Sequence, residues 1–222
     1  MSRWQATIQC HFLPDLDDGL AEVEQSLRFL RGLYNLGWQS VVATSYIMQD
    51  YYLPDPALII QKTQQLERLL RQEHIPVKLE PAAEYYWDEG LSNLLESDQE
   101  LMCFTGNERA RKFVLVETSL VHRPENFGVV MNILKQKGYS PVLSHAEQYV
   151  FLQQMPERVS ILREAGVCFQ VNLRSLTYEA SPEARRLAQW LIREDMVDFW
   201  SAPPRLDLIQ QAMESPLFPQ IR

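Results

Sequence analysis

One short stretch, TIQCHFLPDLDDG (residues 7–19), crowds His11, Asp15, Asp17 and Asp18 together. Its first half reads as a β-strand, on which Gln9 and His11 point to the same side. An imidazole opening onto a carboxylate-rich loop is the raw material of a metal site or of acid–base chemistry. Gln9 is the odd member, because an amide is a poor ligand for a transition metal. Further along, Glu84, Glu117, His145, Glu147, Asn172 and Arg174 each end or follow an apolar, β-branched run. Histidine and carboxylate donors together suit Mn, Fe or Zn. Taken singly, a glutamate at a strand end is more often solvated or salt-bridged, and a histidine there is more often hydrogen-bonded for structure. Convergence of the whole set on one face would be harder to explain in that way.

The elements that must position these residues follow from periodicity. Candidate strands are 6–10, 40–44, 77–84, 113–118, 141–145, 167–172 and 197–200. Between them run amphipathic stretches. Leu20, Val23, Leu27, Leu30 and Tyr34 keep helical spacing, with Gly37 as a stop. Asp55-Pro56 caps a helix lined by Leu58, Leu66, Leu69 and Leu70, and Ser181-Pro182 caps another. Phe127 to Lys137 is closed by Gly138, and Pro156 to Glu164 by Gly166. Strand and helix alternate about seven times without a composition break, so residues 1–222 form one α/β domain around a parallel sheet. So many units usually close into a barrel; a doubly wound open sheet is the alternative. In a barrel the chemistry sits at the carboxyl ends of the strands. His11, Glu84, Glu117, His145 and Glu147 all fall there, whereas His74 and His122 lie elsewhere.

Composition narrows the partners. The 222 residues carry a net charge of −8, which gives no electrostatic footprint for nucleic acid or an anionic membrane. No apolar run approaches the ~18 residues of a membrane span. The start, MSRWQATIQC, lacks a signal-peptide core. The three cysteines, Cys10, Cys103 and Cys168, are far apart. Unpaired thiols without an export signal lead to the expectation of a cytoplasmic protein. There is no GxGxxG or GxxxxGK[ST] motif to support a dinucleotide or P-loop reading.

The strand-end residues resemble the polymerase and histidinol phosphatase (PHP) superfamily, and within it the bacterial capsule-type tyrosine phosphatases. The resemblance covers nearly the whole chain. TIQCHFLPDLDDG aligns without a gap to that branch's DxHxHxLPxxDDG opening. TSY (44–46) stands at its TPH, SHAEQ at its HPER, NLRSLT (172–177) at its NxxSLT, and SAPP (201–204) at its closing SDxH. Glutamates expected after the third strand and in the fourth match Glu84 and Glu117.

The resemblance implies a distorted seven-stranded, TIM-like β/α barrel of the PHP type. It implies a metal cluster, usually manganese, that hydrolyses phosphotyrosine on the tyrosine kinases of polysaccharide assembly. This chain departs from the pattern at several positions: Thr7 for the first Asp, Gln9 and Tyr46 for histidines, Gln148 for the arginine, and Ala202 and Pro204 for the closing Asp and His. A full three-metal cluster is therefore not expected. One divalent ion on Glu84, Glu117 and His145 is, with His11 and Asp18 as catalytic candidates. Arg174 and Tyr46 are candidate substrate-binding residues, Arg205 is a second candidate cation, and Gln9, Tyr46, Ala202 and Pro204 are former ligand positions. The expected function is a phosphotyrosine phosphatase of weakened or absent activity. The alternatives are a non-catalytic relative that binds a kinase of polysaccharide assembly, and a phosphoesterase of altered substrate. Tyr46, Tyr51, Tyr52, Tyr85, Tyr86 and Trp87 would line a groove or pack as a rim.

Overall fold

The computed structural model describes residues 6–97, 99–105 and 110–218, with backbone alone for 6–10. The side chain of Gln9, like that of Thr7, lies outside the described residues. The strands are β1 (Ala6–Cys10), β2 (Ser40–Ile47), β3 (Lys78–Tyr86), β4 (Lys112–Glu117), β5 (Tyr139–Leu143), β6 (Cys168–Asn172) and β7 (Phe199–Ser201). They pair in chain order, and every pair is parallel. β1 to β6 form a curled half-barrel sheet. The short β7 adds to β6, and its other side lies against β1.

The helices are α1 (Val23–Asn35), α2 (Pro56–Gln72), α3 (Glu89–Glu96), α4 (Phe127–Gln136), α5 (Val150–Gln154), α6 (Glu157–Glu164), α7 (Pro182–Arg193) and α8 (Leu206–Met213). The expected caps are present: Asp55 accepts from the Ala57 N–H, and Ser181 accepts from the Ala184 N–H. On α2 the buried stripe is Ile59, Thr63, Leu66 and Leu70; Leu58 is exposed, one position off the inward face. The helices α3, α5 and α8 answer to none of the amphipathic stretches read from the sequence.

Strand alternation explains where the centre forms. Odd and even positions of a strand face opposite sides. On one side Val41 and Ala43 of β2, Val114 and Val116 of β4 and Phe169 and Val171 of β6 pack into the main core with the helices. On the other side Val42, Ala82, Phe113, Leu115, Val142 and Cys168 form a second apolar cluster with Phe104. Two residues further along the same faces come Thr44 and Tyr46 on β2, Glu84 on β3, Glu117 on β4 and Gln170 on β6. The concave side of the sheet is thus apolar at the amino ends of the strands and polar at their carboxyl ends.

Candidate metal centre

The first half of the centre is the loop after β1. It doubles back over His11: the Leu20 N–H donates to the His11 carbonyl at 3.0 Å. A Cβ on Gly19 would lie 2.0 Å from that carbonyl oxygen, so only glycine allows the close approach. The Gly19 N–H donates to Asp17 Oδ1, which turns the other oxygen of Asp17 inward. That oxygen meets His11 Nδ1 at 2.7 Å and accepts from the Tyr46 N–H at 3.1 Å. His11 Nε2 lies 3.1 Å from Glu84 Oε2.

Ionised carboxylates only accept, so a ring held by one on each nitrogen donates from both and is a cation. Burial by itself would lower the His11 pKa, but the hydrogen bonds to Asp17 and Glu84 outweigh it and raise the value to about 10. Burial works against Asp17 ionising, and its bond to His11 reverses this and holds its pKa down. With both hydrogen bonds made the ring is a cation with no lone pair to give; as a ligand it would have to release one of them. Asp17, more than Asp18, is the acid it engages. Asp18 is exposed and lines the cleft, close enough to His11 and Asp17 to form a second potential donor group.

The second half is Glu84, Glu117 and His145, each offering one ligand atom within 4.8 Å of the others. Glu84 is fully buried. His145 Nε2 lies 3.5 Å from Glu117 Oε2 and 3.9 Å from Glu84 Oε1. These are long for hydrogen bonds and suit donors arranged about one ion, whose ligand atoms sit about 2 Å from it. His145 has φ of 31°, a left-handed conformation for a non-glycine residue. Its N–H donates to the Gln170 side chain, and its Nδ1 is buried without a partner among the described residues. Burial disfavours both the His145 imidazolium and the Glu117 carboxylate; their mutual attraction reverses both effects, raising the histidine and lowering the acid. The donor set fits one divalent cation.

Tyr46 joins the two halves. Its ring stacks on His11 with centroids 4.4 Å apart, and its hydroxyl donates to Glu117 Oε2 at 2.6 Å. Burial and the charges of Glu84 and Glu117 push its pKa well up, so the phenol stays a donor. It thereby engages one oxygen that a cation would use. Behind His145, the buried Glu147 accepts from the Ser175 hydroxyl at 2.6 Å and the Asn172 N–H at 3.2 Å, which ties the His145 turn to the loop bearing Arg174.

A cleft of about 390 Å³ opens over these groups, lined also by Gln148, Asn172, Arg174, Ala202 and Pro204. Arg174 is exposed, and its Nε lies 3.2 Å from Glu179, which also approaches Arg205 at 3.5 Å. Arg205 is held by Asp207 and is not among the cleft residues. Of the expected aromatic group, Tyr46 lines the cleft. Tyr52 stacks on Tyr46, Trp87 stacks on Phe127, and Tyr85 is turned outward to accept from the Met102 N–H. The group is therefore a packed rim with Tyr51 exposed beside it. The sequence reading grouped Asp17 with His11 and Asp18 but gave the catalytic role to Asp18, although the Asp-x-Gly spacing to Gly19 carries the signal for the inward turn of Asp17.

Parallel β/α architecture with carboxylates and histidines gathered at the carboxyl ends of the strands defines an α/β protein with a candidate metal centre. Residues 6–203 match the family described as capsular polysaccharide synthesis, CpsB/CapC, and the chain belongs to that family. It is 25% identical over 193 residues to the tyrosine-protein phosphatase YwqE of Bacillus subtilis, covering 86% of this chain and 74% of the relative. It is 26% identical over 200 residues to the tyrosine-protein phosphatase CpsB of Streptococcus agalactiae, covering 86% and 79%. A crystal structure described as that of YwqE from Bacillus subtilis and CpsB from Streptococcus pneumoniae, unique metal-dependent tyrosine phosphatases, shares the fold. Its TM-score is 0.81 at 24% identity, over 94% of this chain and 84% of that one. Among the described residues no helix is long and apolar enough to cross a membrane.

Proposed function

We propose that this protein is a capsule-type phosphotyrosine phosphatase, in a distorted seven-stranded PHP-type barrel, working with one divalent ion and at a low rate. Glu84, Glu117 and His145 would hold the ion, with manganese, iron or zinc as candidates. The observation that carries the reading is the Tyr46 hydroxyl seated on Glu117 while the Glu84–Glu117–His145 triad stays intact. When bound, a divalent ion supplies Lewis-acid polarisation of a phosphoryl oxygen and a water of lowered pKa.

The chain's own groups do the rest. The His11 imidazolium faces the cleft as a fixed positive charge for a phosphate oxygen, and Arg174 extends over the same opening. Asp18, exposed at the rim, is placed to accept a proton from an attacking water. Gln148, Ala202 and Pro204 offer no charge to a transition state. Each missing charged contact is often worth ~3 kcal/mol. Two or three of them amount to several orders of magnitude in rate.

Turnover of a phosphotyrosine peptide with added Mn²⁺, together with metal analysis of the purified protein, tests this. The expected result is about one ion per chain and a rate at least ~100-fold below that of a relative with the full histidine set. An equal rate, or three ions per chain, refutes it. The same Tyr46–Glu117 contact favours a second reading, a non-catalytic relative in the cytoplasm that holds a tyrosine kinase of polysaccharide assembly. Zero turnover with no bound ion would select it.

A further inference from the structure

A second recess opens near the metal centre and plays no part in it. It is a pocket of about 130 Å³ lined by Arg123, Phe127, Phe151, Arg158, Ile161 and Leu162. Phe127 and Phe151 are buried and pack edge-on, with centroids 5.9 Å apart, forming an apolar floor. Ile161 leaves 62% of its surface exposed at the rim. Two arginines complete the lining. Arg123 is exposed and Arg158 half-buried, and neither makes an ion pair or a side-chain hydrogen bond among the described residues. Several other surface guanidinium groups are paired, as Arg31 with Glu73, Arg163 with Asp198, Arg186 with Glu183 and Arg205 with Asp207, while Arg68, Arg71 and Arg193 are, like these two, without an ion pair among the described residues. What sets this recess apart is that two unpaired guanidinium groups line one apolar floor, in a chain of net charge −8.

The position gives the recess a role. Arg123 and Phe127 belong to the segment that follows Glu117, and Leu120 of the same segment lines the cleft over the metal centre. The same segment therefore contributes residues to both the cleft and the recess. We propose that the recess is a docking site for an acidic polypeptide segment. An apolar side chain would sit on Phe127 and Phe151, and flanking carboxylates would pair with Arg123 and Arg158. The volume of about 130 Å³ suits one apolar side chain. Guanidinium groups form two-point pairs with carboxylates, and an apolar anchor between them adds burial that a bare anion lacks. A partner held there has its neighbouring residues within reach of the cleft. The docking site does not depend on whether the centre turns over.

Fluorescence anisotropy of the full-length protein with a labelled heptapeptide, aspartates and glutamates around a central phenylalanine, tests the assignment. Saturable binding is expected, weakened about tenfold or more by the double variant R123E/R158E and by replacing the central phenylalanine with glycine. Both arginines lie at the surface, and an unchanged melting temperature of the variant shows that the fold is kept. Peptide binding that is equal in wild type and variant overturns the proposal. So does the absence of saturation up to about 1 mM peptide. Competition by inorganic phosphate as strong as by unlabelled peptide would reduce the recess to a simple anion site and also overturn it.

Discussion

The two halves of the centre differ in what fills them. On the β3–β5 side, Glu84, Glu117 and His145 converge with open spacing, and Nδ1 of His145 is left without a partner. On the β1–β2 side the described groups facing the centre already engage one another: His11 lies between two carboxylates, Asp17 accepts from Gly19 and Tyr46, and a phenol ring lies over the imidazole. The first arrangement has room for a cation, and the second contains one, the imidazolium itself. Close carboxylates need a positive charge between them, and a proton on histidine provides it as a metal ion would. The contrast suggests how a centre can lose ligands on one side without loss of folding.

Removing the open side should have the largest effect. Glu84→Ala takes the buried acid from between His11 and His145. Metal affinity should fall by at least ~100-fold, measured by calorimetric titration with Mn²⁺. If the variant binds Mn²⁺ as tightly as the parent, the cation position is not where the geometry places it.

The closed side can be reopened. Tyr46→His places a ring nitrogen where the phenol stood and releases Glu117 Oε2. A second ion per chain and about a tenfold gain in phosphotyrosine turnover are expected, from metal analysis and a peptide assay. Tyr46→Phe separates the two roles of the residue, since it keeps the stack on His11 and loses only the hydroxyl. It should cost about 1 kcal/mol in denaturant unfolding without raising the metal count to two. Unchanged stoichiometry in Tyr46→His would mean that the missing ligands, and not the phenol, limit occupancy.

Glu147 sharpens the comparison because it braces the open side from behind. Glu147→Ala strands the Ser175 hydroxyl and the Asn172 N–H, a loss of about 1–3 kcal/mol by equilibrium unfolding. Burial raises the Glu147 pKa above its ordinary value of 4.5, against opposing hydrogen bonds from Ser175 and Asn172. The folded state therefore holds this proton more tightly than the unfolded chain does. Its contribution is complete below the unfolded pKa and is lost as pH rises toward the folded one. Glu147→Gln keeps an acceptor and cannot ionise, so it should flatten that part of the stability profile. An identical slope in parent and variant would assign the pH dependence to other groups.

Much of this was legible in the sequence where a pattern repeats. The parallel strands follow from their β-branched runs; strand ends put Glu84, Glu117 and His145 at one mouth, the family resemblance grouped them, and the structure brings their ligand atoms together. Helix α3 was missed because its eight residues give barely two turns of periodicity, although Asp88, which accepts from the Leu91 N–H, is a readable cap. Helix α8 was missed because it starts from Arg205 without a side-chain cap. The pairing of His11 with Asp17 depends on the loop folding back over Gly19, and the outward turn of Tyr85 on a contact with Met102. The first leaves only the Asp-x-Gly of residues 17–19, and the second leaves no mark in spacing. Nor does the engagement of Arg174, because the acid that holds it, Glu179 in the same connection, is itself shared with Arg205.

That engagement gives the smallest expected effect. Arg174 is the guanidinium that borders the cleft, and Glu179 competes with any phosphate for it. The pair is half exposed, so the attraction is screened and modest, within about 1 kcal/mol. Glu179→Gln should release Arg174 and strengthen inhibition or binding by inorganic phosphate about threefold, with no change in metal content. Arg174→Gln should weaken phosphate binding to the same degree, and the double variant should match Arg174→Gln alone, since Glu179 acts only through the arginine. If Glu179→Gln strengthens phosphate binding even in the absence of Arg174, Glu179 repels the anion directly and the arginine is a bystander on the rim.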